Sequence, residues 1–346
     1  MGIRITGVGR ALPERVVTNE EIAAHLGVEP SWIEVRTGIR ERRFAAPGQS
    51  ASTLGADAAR AALATAGLSP GDLDLIVAAT VTADYNFPPT SAVIQDALGA
   101  GTIPCFDLNA ACSGFIYALK VADGLAGPGM ARILLVGAEV LSRFTDPEDS
   151  MTAPLFGDGA GAVVLEWDPS ARSIQYELGA DGGGGKHVLV PAGGGRAPAT
   201  AATVEDRQHF IHMAGREVYR HAVLRMSTVG RSLGAAGFDL LIAHQANQRI
   251  LKECAERIGI SMDKVFVNID RYGNTSAASI PIAMCEAWEA GRLRPDMRLL
   301  LLAFGAGFTW AGALLDWTLA SSLPTHETPA HETSAEGGDL AEITAR

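Results

Sequence analysis

The sequence predicts an α/β protein made of two similar halves, with helices covering mixed sheets. Three observations carry that reading. Short apolar runs, as expected of strands buried on both faces, alternate with helical periodicity. The same order of motifs occurs twice along the chain. A length of 346 residues is also long for one compact core but natural for two halves of about 150–170 residues.

The duplication has a measurable offset. DLIVAAT begins at Asp74 and DLLIAHQ at Asp239, 165 residues later. FDLNAACSG holds Asp107 and IDRYGNTSA holds Asp270, 163 later. RILLVGAE starts at Arg132 and RLLLLAFG at Arg298, 166 later. Three near-equal spacings mark an internal repeat. FGDGAG at Phe156 and FGAG at Phe304 lie only 148 apart, so the first half is expected to carry about 18 extra residues around SRFTDPEDSMTAPL.

Taken in order, the elements follow from local pattern. Ile3, Ile5 and Val8 read as a buried first strand, in preference to the loose myristoylation pattern that Gly2 and Thr6 also satisfy. STLGADAARAALATAGL has helical spacing and closes on glycine; LIVAAT and ILLVG are continuous apolar strands. Residues 168–205, with GGGG and GGG, join the halves; no Lys-Ser/Thr follows, so they read as flexible loop rather than a phosphate loop. EVYRHAVLRMSTVGRSLGAAG is again helical and LLIA again a strand. The division expected is residues 1–170 for the half with Cys112, 171–319 for the half with His244 and Asn274, and 320–346 for an acidic, Thr/Pro/Glu/Ala-rich tail expected to be disordered.

Composition excludes several classes. Hydrophobic residues at 47% and charged residues at 19% supply a large core. No stretch approaches ~20 uninterrupted apolar residues, and the N-terminus lacks a signal-peptide layout, so no membrane role is expected. The net charge is −11; the tail holds five acids against Arg346, which leaves the body at −7. Such a chain is not expected to bind nucleic acid through a basic surface. Cys105, Cys112, Cys254 and Cys285 show neither CxxC pairing nor metal-ligand spacing, and His326 and His331 are too sparse for a metal site. Free thiols in a reducing cytoplasm are the expectation.

One cysteine stands in an unusual setting. Cys112 lies in LNAACSGFIYALK, among small residues where a helix begins. Buried free cysteine is usually inert packing, but a helix N-terminus lowers a thiol's pKa and small neighbours leave room for a substrate. At the 163 offset Cys112 aligns with Thr275, beside Asn274, while His244 stands where the first half has Ala79. His244 in AHQANQRI reads either as a satisfied buried histidine or as a site residue, and Asn274 in YGNTSAAS either as a helix cap or as a donor. A pseudo-twofold axis would bring all three together. Cys, His and Asn then suggest a thiolate nucleophile with two donors aimed at a developing enolate.

These residues also carry a resemblance. Trp32 and Arg36 in SWIEVRTGIRERR, Phe87 in DYNFPPTS, Cys112 in LNAACSGF, FGDGAGAVVL, His244 and Asn247 in HQANQRI, Asn274 in GNTSAAS, and FGAGFTW occur in that order. Over roughly residues 3–318 the chain resembles β-ketoacyl-acyl-carrier-protein synthase III of the thiolase superfamily. The resemblance implies a five-layered α-β-α-β-α sandwich of two pseudo-twofold-related halves, working as a homodimer. It implies that Cys112 takes an acyl group from a CoA thioester, with backbone N–H groups of Cys112 and Ala306 as oxyanion hole. Malonyl-acyl carrier protein then loses CO₂, and His244 and Asn274 hold the enolate that attacks the acyl-enzyme. No metal or redox cofactor is implied.

By the same resemblance Trp32, Arg36 and Asn247 bind CoA, while Phe87, reaching across the dimer, Leu141 and Phe156 shape the acyl pocket. Arg249, Lys252 and Arg257 form a basic patch for an acidic carrier protein, unless they are simply a solvated helix face. Three departures stand out: Ser150 and Met151 replace an arginine that some members place opposite Trp32, Ala306 replaces a common glycine, and the tail is long. An acyltransferase passing the Cys112-bound group to a hydroxyl or amine is the alternative chemistry on the same scaffold.

Overall fold

The protein is described by a computed structural model covering residues 2–320; the tail expected over 320–346 therefore lies outside the described residues except for Ala320. The first sheet contains β1 (Gly2–Ala11), β2 (Leu75–Ala79), β3 (Cys105–Leu108), β4 (Arg132–Val140) and β5 (Asp158–Asp168), in the order β1-β5-β4-β2-β3. The second contains β6 (Gln175–Ala180), β7 (Leu240–Ala243), β8 (Arg298–Gly305) and β9 (Thr309–Asp316), in the order β7-β8-β9-β6. β2 pairs parallel with β4, as β7 does with β8; β4 and β5 are antiparallel, as are β8 and β9. The two sheets thus share one connectivity. In the second, a single Leu241–Val265 bridge stands where β2 pairs with β3.

Helices α1 (Asn19–Leu26) and α2 (Pro30–Thr37) follow the short strand Val16–Thr18, which pairs with Glu41–Arg43. The outer face of the first sheet is covered by α3 (Ala51–Ala66), begun by a Ser50–Thr53 capping box, and by α4 (Thr90–Leu98). Between the sheets run α5 (Gly114–Leu125) and, from the second half, α8 (Ser279–Glu289). On the far face of the second sheet lie α6 (Gly215–Gly234) and α7 (Gln248–Ile258). The result is the expected five-layered α-β-α-β-α sandwich.

The central layer explains its own sequence. Every residue of α8 from Ser279 to Trp288 is buried, so the helix is apolar nearly all round rather than on one stripe. It seats directly on the first sheet because Gly137 and Gly161 have no side chains: a Cβ on Gly137 would stand 2.6 Å from Ala277 O, and one on Gly161 2.6 Å from Ile282 N. The outer helices instead alternate a buried face with a charged one, clearest in α7, where Ile250, Leu251, Cys254 and Ala255 are buried while Arg249, Lys252 and Arg257 are exposed.

The extra segment of the first half is residues 141–157, linking β4 to β5, where β8 and β9 are joined by residues 306–308 alone. The excess is 14 residues rather than about 18. Phe156 precedes its strand whereas Phe304 lies within one, so the two FG runs are not equivalent positions.

Candidate active site

Both central helices begin at the same end of the layer and in the same way. Each is preceded by a single 3₁₀ turn, Ala111–Ser113 before α5 and Ser276–Ala278 before α8. Each turn is entered at a positive φ, +48° at Ala111 and +47° at Ser276, a conformation costing non-glycine residues about 1–3 kcal/mol and typical of functional sites. Two residues earlier an asparagine carboxamide oxygen accepts the backbone N–H of that strained residue: Asn109 from Ala111 at 3.2 Å, Asn274 from Ser276 at 2.8 Å. The structural offset is therefore 165. Cys112 corresponds to Ala277 and Asn274 to Asn109, two positions away from the alignment of Cys112 with Thr275.

A cavity of about 560 Å³ opens at this end, lined by Cys112, His244, Asn274, Ser276, Leu141, Phe156 and Ala306, among others. The three candidate catalytic residues thus meet at one space. Cys112 is brought there by the turn before α5, and Gly305 lets the opposing loop approach: a Cβ on Gly305 would lie 2.7 Å from Cys112 N. His244 directly follows β7, its N–H bonded to Leu302 O at 2.8 Å. Its Nδ1 lies 2.7 Å from Ser279 Oγ at the start of α8. Gln245 folds back to tie Ala243 O, Phe266 O, Asn268 N and Ile269 N together.

Asn274 is held by its backbone, donating to Leu155 O at 2.8 Å and accepting from Gly157 N at 3.1 Å. Its Oδ1 is occupied by Ser276 N, which leaves the Nδ2 hydrogens without a partner among the described residues. The Ser279 hydroxyl also receives Gln245 N–H at 3.4 Å, and its own proton is free to go to His244 Nδ1. In that arrangement the imidazole carries its hydrogen on Nε2. His244 and Asn274 share the cavity with the Cys112 sulfur.

The electrostatics depart from expectation. Burial pushes the Cys112 thiol up to about 11. Cys112 sits in the 3₁₀ turn ahead of α5, and there the cost of burying a thiolate opposes the pull of the helix start. Burial drives His244 down to about 3, which favours the neutral imidazole at ordinary pH. Glu139, fully buried behind the site, accepts from Thr82 Oγ1 at 2.6 Å and from Val81 N at 3.2 Å. Burial raises its carboxyl to about 7. Among the described residues, no cluster of three or more His, Cys, Asp or Glu is placed to hold a metal ion.

A second cavity of about 480 Å³ shares Met213, Val218, Ala246, Ile250 and Asn274 with the first. It is lined by Trp32, Arg36, Asn247 and Arg249, with Ser150 and Met151 on the wall. The family model described as 3-oxoacyl-[acyl-carrier-protein (ACP)] synthase III matches residues 106–182, and that described as its C-terminal part matches residues 231–317. A β-ketoacyl-[acyl-carrier-protein] synthase III of Roseiflexus castenholzii is 47% identical over 322 residues, covering 91% of this chain and 98% of the relative. The chain belongs to the 3-oxoacyl-[acyl-carrier-protein] synthase III family. It is an enzyme of the ketoacyl-synthase type.

Solved members agree in shape. The synthase III of Aquifex aeolicus superposes with a TM-score of 0.83 at 40% identity, covering 91% of this chain and all of that one. The enzyme of Pseudomonas aeruginosa gives 0.85 at 36%, over 94% and 100%. A priming β-ketosynthase from the R1128 polyketide pathway gives 0.82 at 33%, over 91% and 96%.

Within this synthase III framework the outer residues fall into different places. The Arg36 guanidinium lies 4.4 Å over the Trp32 ring, so it covers one indole face itself. Asn247 caps α7 through Arg249 N and ties Arg36 O, so its side chain is already engaged. Phe87 does not line the cavity of its own chain; it is 86% exposed beside a surface hollow with Tyr85 and Phe144. Arg257 pairs with Glu253 at 2.8 Å, whereas Arg249 reaches the second cavity and Lys252 is exposed. Sequence reasoning missed Ser279, Glu139, and the wall formed by Val188, Ile211, Val218 and Met226. Of these only Ser279 had a signal, as the last residue of GNTSAAS.

Proposed function

We propose that this enzyme condenses an acyl-CoA primer with malonyl-acyl carrier protein through an acyl-Cys112 intermediate. The observation that carries the reading is one cavity presenting a sulfur and two neutral N–H donors, His244 and Asn274. Cys112 sulfur attacks the thioester carbonyl, the bond to CoA sulfur breaks, and CoA leaves with the proton that Cys112 loses. The N–H groups of Cys112 and Ala306 hold the transient oxyanion. Malonyl-carrier protein enters next; its C–CO₂ bond breaks and the electron pair forms an enolate held by His244 Nε2–H and Asn274 Nδ2–H. The enolate carbon attacks the acyl-Cys112 carbonyl, and the sulfur departs and takes up one proton. β-Ketoacyl-carrier protein, CoA and CO₂ result.

Neutral donors suit this task, because each fixed donor at a developing oxyanion is worth about 10²–10³ in rate. The route calls for no metal or redox cofactor. Trp32 and Arg36 receive the CoA nucleotide, with Asn247 shaping the same wall. Leu141 and Phe156 contact the acyl group. Arg249 and Lys252 draw in the acidic carrier protein, with Arg257 a weaker contributor because of Glu253. The enzyme works as a homodimer: β3 is an unpaired sheet edge and Phe87, exposed in one chain, would close the partner's acyl pocket. It acts in the cytoplasm, consistent with four free cysteines. Among the described residues no helix is long and apolar enough to cross a membrane.

The deciding experiment is intact-protein mass after mixing with a panel of acyl-CoAs, with Cys112→Ala alongside. An adduct on the wild type alone, discharged by malonyl-carrier protein with CO₂ release, is the expected result. An adduct that malonyl-carrier protein leaves in place, but a hydroxyl or amine acceptor removes, would replace condensation with simple acyl transfer.

A further inference from the structure

The motif GIRERR contributes a residue that the chemistry above does not use. Arg42 lies on the short strand Glu41–Arg43 and is fully buried, among the largest side chains enclosed in the molecule. It makes no ion pair among the described residues. Its Nη2 donates to Pro154 O at 2.7 Å and its Nη1 to Val17 O at 3.2 Å, while Nε has no partner. An enclosed, unpaired charge is costly, and burial lowers this guanidinium to about 10. Packing alone would favour an apolar side chain there.

What Arg42 holds is the support of Asn274. Pro154 belongs to the segment whose next residue, Leu155, accepts Asn274 N–H, and whose Gly157 N–H is accepted by Asn274 O. The stem of Arg42 lies against the glycines on either side of that clasp. A Cβ on Gly157 would be 3.2 Å from Arg42 Cβ, and one on Gly273 3.3 Å. Gly273, at φ +64°, directly precedes Asn274. Neighbouring Arg40 N–H also bonds Asp270 O, so the strand is tied to both sides of the clasp.

We propose that Arg42 is a positioning residue for Asn274: by fixing the Pro154–Gly157 segment it aims the Asn274 carboxamide into the cavity. This rests on the role given to Asn274 above. Arg42 acts in the decarboxylation half of the reaction and not in acylation, since its tie runs to the Asn274 loop and not to the turn carrying Cys112.

The test compares Arg42→Met, which keeps the stem, and Arg42→Lys, which keeps a charge but not the fork, with Asn274→Ala and the wild type. Acylation of Cys112 is followed by intact mass, decarboxylation by CO₂ from malonyl-carrier protein, and stability by thermal unfolding. Arg42→Met is expected to unfold near the wild-type temperature and to acylate within about threefold of wild type. It should lose at least tenfold in CO₂ release, and Arg42→Met/Asn274→Ala should be no worse than Asn274→Ala. Parallel losses in both half-reactions, or losses that multiply in the double variant, would overturn the proposal. Should Arg42→Met fail to fold, Arg42→Lys decides by the same ratio of half-reactions. If Asn274→Ala itself releases CO₂ normally, the role of Asn274 fails and not the link to Arg42.

Discussion

The two halves share a frame and differ in what they hang on it. In the first, Ala79 ends β2 and faces Gly114, where a Cβ would touch the Ala79 methyl at 3.4 Å. In the second the equivalent positions are His244 and Ser279, joined at 2.7 Å. Ala111 and Ser276 hold the same strained turn, and Asn109 and Asn274 cap it alike. Beyond the cap the roles part: the first half offers a sulfur at Cys112, and the second has the inert Ala277 there. On the proposed mechanism one half supplies the nucleophile and the other the donors. The difference teaches that a duplicated scaffold can split a two-step reaction between its copies, provided that the helix starts converge.

Breaking the nucleophile side should give the largest effect. Cys112→Ala should abolish the acyl adduct, and adding Ala277→Cys should not restore it, because the Ala277 Cβ lies toward Gly114 and Ala277 does not line the cavity, whereas its neighbour Ser276 does. Intact mass decides; an adduct on the relocated cysteine would mean the halves are functionally interchangeable. On the donor side, His244→Ala should keep acylation but lose about 10²–10³ in CO₂ release. A variant that still decarboxylates normally would end the division of labour.

Ser279→Gly makes the second half imitate the first. It removes the partner of Nδ1, so the imidazole loses its fixed tautomer, and CO₂ release should drop roughly tenfold with acylation unchanged. Equal loss in both steps would make Ser279 a packing residue only. Alkylation of resting Cys112 by iodoacetamide should keep accelerating through pH 9, since its thiol lies near 11, and His244→Ala should not move that profile. A plateau near pH 7 would reveal the ion pair that burial argues against.

The smallest effect concerns stability. Glu139 has its carboxyl raised from 4.5 to about 7, so the native state binds its proton more tightly than the unfolded chain. Its contribution is greatest below about pH 4.5 and is lost as pH rises through about 7. Glu139→Gln has no proton to lose, so its melting temperature should fall less between those pH values. An unchanged slope would show that some other group carries the dependence.

Much of this was legible beforehand. The apolar strands, the duplication and the three converging residues follow from local pattern and offset. The register did not, because Asp107 and Asp270 look equivalent: one lies in β3, whereas the other lies in the helical turn Ile269–Tyr272, beyond the Val265 bridge that matches β3. Ser279 and Arg42 act on groups 35 and 112 residues away, and no periodicity reports a partner at that separation. Glu139 hides in ILLVGAEV, which reads as plain strand. Asn247 shows the reverse: an asparagine directly before QRILKECAERI is an N-cap signal, and capping is what its Oδ1 does.

On the proposed route the common wall of the two cavities sets the order of traffic. Met213, Val218, Ala246, Ile250 and Asn274 face both spaces, so on that route either visitor would reach the sulfur past the same residues. The spent donor must back out before the extender can come in. Turnover on that route is a matter of taking turns, and a surplus of the first guest would slow the second by occupying the corridor.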